Sequence, residues 1–332
     1  MTTNKWISLY LAQLLSLMLS TAPATAADLL NRQDQPWQPG AGAIQVPLWP
    51  EGPPAPSPFK GNEAYGNEDK QIAGRPFTMI EHVSRPTMSI FRAKDNGNST
   101  GATVLVFPGG GYRRLAIDLE GTEVCDWLTA KGITCVVLKY RVPGSGPYWS
   151  EECNCRRIPA TPYALQDAQR AMALLRARAP EWGIDPHRIG VLGFSAGGHM
   201  VADISNHDQR SYRPLDDADR QGSRPDFAIA VYPGHLWQGP GLKLNPAVKI
   251  ARNAPPTLIV AASDDPVDDI RHSLVYYLAL QRAKVPVAMH VYAHGGHAFG
   301  VRRTAAINTH WTDLAEQWMQ SIGVLQPGVA VP

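Results

Sequence analysis

The sequence predicts an α/β fold, with a mostly parallel, doubly wound sheet and helices on both of its faces. From residue 103 onward, short apolar runs of strand length alternate with amphipathic segments of helix length. Strands that read as continuous apolar runs are buried on both faces, as in a parallel sheet covered by helices. The 332 residues are 44% hydrophobic, which is enough to bury one sizeable core.

The first residues carry the pattern of an export signal. Lys5 is the only charged residue among the first 27, and an apolar stretch follows it over residues 6–19. Ala24-Thr25-Ala26 then supplies the small-residue pattern of a cleavage site. The alternative is a membrane anchor, but the apolar run is too short to span a bilayer comfortably. We therefore expect a signal peptide over 1–26, and a mature protein that is periplasmic or extracellular with no membrane attachment.

The segment that follows is rich in turn-forming residues and precedes the regular alternation. Residues 27–75 are predicted to be an extended lead-in on the surface, with one short strand at 44–49. Two short runs, 78–84 and 88–92, predict an antiparallel hairpin or meander. Residues 76–325 are predicted to form a single domain.

The alternating region supplies the elements of that domain in order. The predicted strands are 103–107, 133–138, 189–193, 227–232, 257–261 and 287–292. The predicted helices are 120–131, 164–178, 196–205, 270–283 and 309–322. A long loop is expected over 143–162.

Charge and cysteine content exclude some classes of function. The formal net charge is +2, with acids and bases interleaved, so nucleic acid is not an expected partner. Cys153-Asn154-Cys155 lacks the spacing of a zinc site, and we expect no metal and no cofactor. In an exported protein the four cysteines permit three full disulfide pairings. Cys125 and Cys135 could instead be buried free thiols. The sequence does not indicate an oligomeric state.

The strongest chemical signal is the motif Gly193-Phe194-Ser195-Ala196-Gly197. An apolar strand leads into it and a helix rich in small residues leads out. This context is typical of a nucleophile elbow, in which the serine sits on a strained turn between strand and helix. The alternative is an ordinary strand-to-helix turn with a capping serine. We interpret Ser195 as the nucleophile of an α/β-hydrolase fold.

An acid and a base should follow the serine in that chain order. His297 comes after two glycines beyond a late strand, and we choose it as the base over His294 and the in-strand His290. Asp265 follows the preceding strand, and we choose it as the acid over the adjacent Asp264. Two further aspartates, Asp268 and Asp269, are expected to begin the next helix, where acids suit the dipole.

Acyl transfer also requires N–H donors for an oxyanion. Ala196 follows the nucleophile and should supply one backbone donor. The loop Pro108-Gly109-Gly110-Gly111-Tyr112 resembles the HGGG motif of esterases, and we expect Gly110 and Gly111 to donate from it. A phosphate-binding reading of the glycines fails, because Arg114 stands where the last glycine of G-x-G-x-x-G would be.

These motifs together resemble a known group of bacterial enzymes. The segments that carry the resemblance are 108–112, Glu120-Gly121, 139–143, 165–171, 193–199 and the loops of Asp265 and His297. They are similar to α/β-hydrolases of the xylanase-like and acetylxylan-esterase-like group, related to BD-FAE and hormone-sensitive-lipase-like esterases. The resemblance covers roughly residues 48–322. It implies either a small-acyl carboxylesterase or, our preferred prediction, an enzyme that removes acetyl groups from a carbohydrate such as xylan, its acylated substrate.

Several other functions remain open at this point. The closest alternatives are a general small-acyl carboxylesterase and a feruloyl-type esterase. The sequence lacks the propeller repeats that accompany prolyl peptidases, and it lacks a long apolar lid expected of a lipase. A glycoside hydrolase would need two carboxylates. Glu120 and Glu123 are candidates, but we expect them to share one helix and to face solvent or cap it. A non-catalytic binding module would require an incomplete triad.

The rim of the site is predicted from loops at the carboxyl ends of the strands. It combines aromatic and polar side chains suited to a sugar, and the rim residues chosen are Tyr112, Tyr148, Trp149 and Tyr232. The long loop that carries Tyr148 and Trp149 could equally be a surface loop packed by its own aromatics. No apolar segment is left over for a deep acyl tunnel, so acetyl esters are expected to be preferred to long-chain esters.

Overall fold

The computed structural model describes residues 29–55, 61–93, 99–144, 148–150, 155–157, 163–207 and 209–325. Their strands are β1 (Leu30–Gln33), β2 (Ile44–Pro47), β3 (Ala64–Asn67), β4 (Thr78–Glu81), β5 (Thr87–Phe91), β6 (Thr103–Phe107), β7 (Arg114–Ala116), β8 (Thr134–Lys139), β9 (Tyr148–Ser150), β10 (Cys155–Arg157), β11 (Ile189–Phe194), β12 (Ala228–Val231), β13 (Thr257–Ala262) and β14 (Val287–Tyr292). Their α-helices are α1 (Glu123–Ala130), α2 (Tyr163–Ala177), α3 (Ala179–Trp182), α4 (Ala196–Asn206), α5 (Arg271–Arg282) and α6 (Trp311–Ser321). The predicted signal peptide lies outside the described residues.

The main sheet has eight strands in the order β14-β13-β12-β11-β6-β8-β5-β2. The six strands from β14 to β8 run parallel, and β5 and β2 extend the β8 edge antiparallel. Every residue of β6, β8, β11, β12 and β13 is buried. This burial on both faces explains why these strands read as unbroken apolar runs. The prediction of a mostly parallel sheet is confirmed.

Helices cover both faces of this sheet. The connection through α1 runs from β6 to β8, whereas the connections through α2 and α4 run across the sheet in the opposite direction. Because crossovers between parallel strands are right-handed, α1 lies on one face of the sheet and α2 and α4 lie on the other. Trp127 of α1 meets Trp311 of α6 with ring centroids 5.5 Å apart, so these two helices share a face. On the other face α4 packs against α2, and its Ala202 joins Val275 of α5 in a small apolar cluster.

A second, four-stranded antiparallel sheet has the order β1-β3-β4-β7. It corrects two expectations. The lead-in was expected to hold one strand, but it supplies β1, β2 and β3. The predicted hairpin of 78–84 with 88–92 is wrong, because β4 pairs with β3 and β7 while β5 pairs with β2 and β8. The separation has a packing cause: Met79 of β4 is buried in a small core with Phe77, Ala116 and Leu119.

The loop expected over 143–162 also contains regular structure, because β9 and β10 pair antiparallel within it. A disulfide joins Cys125 of α1 to Cys135 of β8, and both residues are buried. Cys153 and the side chain of Cys155 lie outside the described part of the chain. Within that part, no helix combines the length and the apolar character needed to cross a membrane.

The strand order determines where the functional loops meet. The chain leaves β6 toward β8 on one side, and it leaves β11 toward β12 on the other side. The carboxyl ends of β6 and β11 are therefore neighbours at the point where the winding direction reverses. Ligands bind outside the carboxyl ends of strands at such a switch point.

Candidate active site

Ser195 occupies the turn between β11 and α4. Its backbone has φ 52° and ψ −117°, a conformation that L-residues rarely adopt. The turn is tight enough to require both flanking glycines. A Cβ at Gly193 would collide with the carbonyl of Gly197, and a Cβ at Gly197 would collide with the carbonyl of Phe107. The G-x-S-x-G spacing is thus explained by close approach of the backbone on each side of the serine.

The structure brings Asp265 and His297 together beside this turn. The Nδ1 of His297 lies 2.7 Å from Oδ2 of Asp265. The aspartate is 9% exposed, and its other oxygen accepts the N–H of Val267 at 2.8 Å. The imidazole is therefore held at Nδ1, which leaves Nε2 directed toward the serine side of the cleft.

Asp264 and His294 form a separate pair next to this one. Asp264 accepts the backbone N–H groups of Gly295 and Gly296 at 2.9 and 2.8 Å. Its second oxygen is 3.3 Å from Nδ1 of His294, whose side chain is 91% exposed. The first aspartate thus fixes the loop that precedes His297, whereas Asp265 holds the histidine ring itself.

Asp268 lies in the site, which contradicts the expectation that it begins a helix. The helix α5 starts at Arg271, and it is Asp269 that accepts the backbone N–H of Arg271, at 2.9 Å. The Oδ2 atom of Asp268 accepts the hydroxyl hydrogen of Ser195 at 3.0 Å and lies 3.9 Å from Nε2 of His297. Sequence reasoning missed this residue, although its position three residues after Asp265 in the same loop was a usable signal.

The electrostatic surroundings of His297 favour its charged form. Burial alone would lower the pKa of this histidine. The hydrogen bond with Asp265, followed by the negative charges of Asp268, Asp265 and Glu120, outweighs burial and raises the pKa above its ordinary value. The imidazole ring also lies against Tyr232, with ring centroids 4.9 Å apart.

The glycine loop after β6 faces the same cleft. Gly110 and Gly111 have φ values of +131° and +65°, which favour glycine. A Cβ at Gly110 would also collide with the backbone of Arg114. Gly110 and Gly111 line the same cleft as Ser195, and Ala196 is the residue that follows the serine. The N–H groups of these three residues remain the predicted donors to an oxyanion at Ser195.

Glu120 is buried behind this loop, which corrects its expected place on a solvent-facing helix. It lies in a single π-helical turn before α1 and is 3% exposed. Its carboxylate accepts the N–H of Gly109 at 2.7 Å and the hydroxyl of Tyr232 at 2.9 Å. Glu123, in contrast, begins α1 and pairs with Arg302 at 2.7 Å. The Glu120-Gly121 pair within the family resemblance was the available signal for this residue.

The predicted rim is wrong at two of its four positions. Tyr112 and Tyr232 are 2% and 1% exposed, so neither forms a rim. The hydroxyl of Tyr112 is bonded to Nδ1 of His199 at 2.8 Å, and that of Tyr232 is bonded to Glu120. Both residues have positive φ values, 57° and 37°, and their buried rings lie behind the site rather than on its rim. Tyr148 and Trp149 lie on β9, but their side chains are outside the described residues.

A cleft of about 640 Å³ opens over Ser195. Apolar side chains of the second sheet and its neighbouring turns form part of the lining. The rest is mostly charged and polar, with Pro143, Val267 and Ala298 among it. The lining includes Phe77, Met79, Glu81, Arg113, Ala116, Leu119, Glu120, Asp268 and His297. The cleft can therefore hold an apolar group and a hydroxyl-rich group at the same time.

Comparison with known proteins shows that the chain is similar to hydrolases. The chain is 28% identical over 259 residues to an acetylxylan esterase of Xylanibacter ruminicola, with 71% of this chain and 47% of the relative aligned. It is 27% identical over 218 residues to an endo-1,4-beta-xylanase B of Butyrivibrio fibrisolvens, with 60% of this chain and 32% of the relative aligned. This chain thus spans half or less of the length of these two relatives.

A solved structure is similar over most of both chains. It is an acetyl ester-xyloside bifunctional hydrolase from Caldicellulosiruptor lactoaceticus, with 28% identity and a TM-score of 0.64. The match covers 85% of this chain and 97% of that one. The predicted α/β-hydrolase fold and the resemblance to acetylxylan-esterase-like enzymes are confirmed. The model of the prolyl oligopeptidase family matches residues 123–323, which is more than half of the sequence, and the chain therefore belongs to that family.

Proposed function

We propose that this protein is a serine-dependent carboxylic ester hydrolase that removes acetyl or other small acyl groups from carbohydrate. One observation carries the proposal. Ser195 stands on a strained elbow in a cleft that also contains His297, and Asp265 holds that histidine at 2.7 Å. The relatives named as esterases support the reaction class, and the acetylxylan esterase among them supports the acylated sugar.

The proposed mechanism follows from these positions. The Ser195 hydroxyl turns from Asp268 toward Nε2 of His297, gives up its proton and attacks the ester carbonyl carbon. The resulting oxyanion is stabilised by the N–H groups of Gly110, Gly111 and Ala196. His297 then protonates the departing alcohol oxygen, which leaves an acyl-serine. Water attacks this intermediate with His297 again as base, and the acid and free Ser195 are released.

Glycoside hydrolysis is less consistent with the geometry, although the solved relative is named for both activities. Such a reaction requires a carboxylic acid free to protonate the glycosidic oxygen and a second carboxylate across the bond. Both oxygens of Glu120 already accept hydrogen bonds, from Gly109 and Tyr232. Peptide hydrolysis would use the same triad, but the acetylxylan esterase and the xylanase reported above are named for polysaccharide substrates.

The test uses four substrates with purified wild type and Ser195→Ala. We expect release of acetate from acetylated xylan and from p-nitrophenyl acetate, and a loss on the order of 10³-fold or more in the variant. Hydrolysis of p-nitrophenyl xyloside or of a prolyl p-nitroanilide peptide should be absent or much slower. Ester hydrolysis that survives in Ser195→Ala would refute the reaction mechanism. Activity on p-nitrophenyl acetate without any on acetylated xylan would favour the general carboxylesterase alternative.

We also propose that the protein is exported. The support is the charged, apolar and small-residue order of residues 5–26. Export would suit an enzyme acting on a polymer, because polysaccharides do not enter the cell.

A further inference from the structure

The site contains one more carboxylate than the reaction needs. Asp265 already holds Nδ1 of His297. Asp268 adds a second acid on the opposite side of the ring, where its Oδ2 is 3.0 Å from the Ser195 hydroxyl and 3.9 Å from Nε2 of His297. It therefore contacts the two atoms that exchange the proton during attack.

The position of this carboxylate is fixed by its surroundings. The backbone N–H of Asp268 donates to Oδ1 of Asp265 at 2.9 Å, so the two acids are tied together. On the other side, a Cβ at Gly234 would lie 2.5 Å from Oδ1 of Asp268. A glycine there leaves room for the carboxylate beside the nucleophile. The Asp268 side chain is only 12% exposed, so it is not a freely moving surface group.

A negative charge at this place is unfavourable for an oxyanion forming on the substrate. Its presence calls for a compensating interaction. Before reaction, Asp268 accepts the hydroxyl hydrogen of Ser195. During attack that hydrogen passes to His297, so the hydrogen bond from Ser195 to Oδ2 of Asp268 is lost. A substrate hydroxyl that donates to this oxygen would replace that hydrogen bond and favour the reactive arrangement.

The position next to Nε2 indicates which part of the substrate supplies the donor. His297 must protonate the oxygen of the leaving alcohol, so that oxygen approaches Nε2. In an ester of a sugar or another polyol, a free hydroxyl lies on the carbon next to the esterified one. Such a hydroxyl reaches the carboxylate that lies 3.9 Å from Nε2.

We propose that Asp268 accepts a hydrogen bond from a hydroxyl adjacent to the ester, and that it thereby selects esters of polyols over esters of simple alcohols. This inference rests on the proposed esterase function and specifies its alcohol. The Asp268 carboxylate releases Ser195 as the substrate hydroxyl binds. Because Asp268 lies next to the reacting atoms, the preference for polyol esters should appear in kcat as well as in KM.

The experiment compares two acetates of nearly equal size, 2-hydroxyethyl acetate and propyl acetate. Each kcat/KM is divided by the rate of alkaline hydrolysis of the same ester, which removes intrinsic reactivity. We expect wild type to prefer the hydroxyl-bearing ester about 10-fold or more, as for a hydrogen bond to a charged group. In Asp268→Ala the preference should fall to near one, and in Asp268→Asn it should fall to an intermediate value.

Asp269→Asn is the matched control. It removes a carboxylate one residue away that bonds to Arg271 rather than to Ser195, and it should keep the wild-type preference. Equal use of both esters by active wild type would overturn the inference even if no variant folds. An unchanged preference in a folded Asp268→Asn or Asp268→Ala would also overturn it. Failure of the esterase proposal would look different, because p-nitrophenyl acetate hydrolysis would then persist in Ser195→Ala.

Discussion

The buried carboxylate of Glu120 accepts the backbone N–H of Gly109 at 2.7 Å. Its other oxygen accepts the hydroxyl of Tyr232, which in turn accepts the N–H of Gly300 at 3.2 Å. This chain of hydrogen bonds joins the glycine loop to the loop that carries His297. Burial raises the pKa of Glu120, although the nearby His297 and both hydrogen bonds oppose the rise. Glu120 is thus a positioning residue for two loops of the site.

Replacing Glu120 should therefore lower the rate more than substrate affinity. In Glu120→Ala the Gly109 N–H and the Tyr232 hydroxyl lose a buried partner, at roughly 1–3 kcal/mol. We expect kcat for p-nitrophenyl acetate to fall about 10- to 100-fold, with a smaller change in KM. Glu120→Gln keeps an acceptor for Gly109 and should lose less.

Thermal unfolding separates positioning from global stability in this test. Glu123→Ala is the matched control, because Glu123 pairs with Arg302 away from the cleft. That variant should unfold at a lower temperature and keep its kcat where it is folded. A Glu120→Ala enzyme with unchanged kcat would show that the glycine loop does not need this carboxylate.

The sequence predicted the role of Ser195 but not that of Glu120, because the first depends on neighbouring residues and the second on residues far away in the chain. The elbow is local: its glycines lie two residues from the serine, so a short motif with apolar flanks identifies it. The main sheet was predictable for a similar reason, because burial on both faces leaves unbroken apolar runs. Glu120 lies in the site because it is hydrogen-bonded to Tyr232, which is 112 residues away in the sequence. Asp268 is likewise hydrogen-bonded to Ser195, which is 73 residues away. Sequence spacing places Asp268 in the same loop as Asp265, but it does not show the contact with Ser195 before the strand order is known.

The two adjacent aspartates give a sharp test of the triad. Asp265→Asn should reduce kcat/KM by about 10³-fold, because the acid orients His297 and stabilises the imidazolium. Asp264→Asn should cost far less, since an amide oxygen can still accept the N–H groups of Gly295 and Gly296. Both kcat/KM values are measured on p-nitrophenyl acetate. A greater loss in Asp264→Asn would reassign the acid.

The pH profile of kcat/KM should reflect the raised pKa of His297. The histidine acts as a base only when neutral, so activity rises as pH increases through this pKa. We expect the acid limb to lie above the ordinary histidine value of 6.5. The acids facing the ring are Asp265, Asp268 and Glu120. Asp268→Asn removes one negative charge and should move the limb to lower pH, whereas Asp269→Asn should move it much less. If the acid limb of Asp268→Asn lies at the same pH as that of wild type, the charge of Asp268 does not raise the pKa of His297.

The proposed signal peptide predicts the start of the mature protein. Expression of the full chain in a bacterial host should give periplasmic or secreted material whose first residue is Ala27. N-terminal sequencing or intact mass of that material checks the cleavage site. Recovery of the enzyme with Met1 still present in those fractions would argue against a cleaved signal.

The walls of the cleft predict a preference for short acyl groups. The apolar side chains of its lining are Phe77, Met79, Ala116 and Leu119, which are each less than 10% exposed, together with Pro143, Val267 and Ala298. Beyond them the lining is charged, through residues such as Glu81 and Arg113. Burial of each methylene stabilises a bound chain by about 0.8 kcal/mol, so an apolar tunnel would make kcat/KM rise with chain length. Here an eight-carbon chain would lie against charged side chains or remain in water. We expect kcat/KM for p-nitrophenyl esters to be highest for acetate, lower for butyrate and lowest for octanoate. A maximum at octanoate would contradict both the small-acyl preference and the carbohydrate substrate.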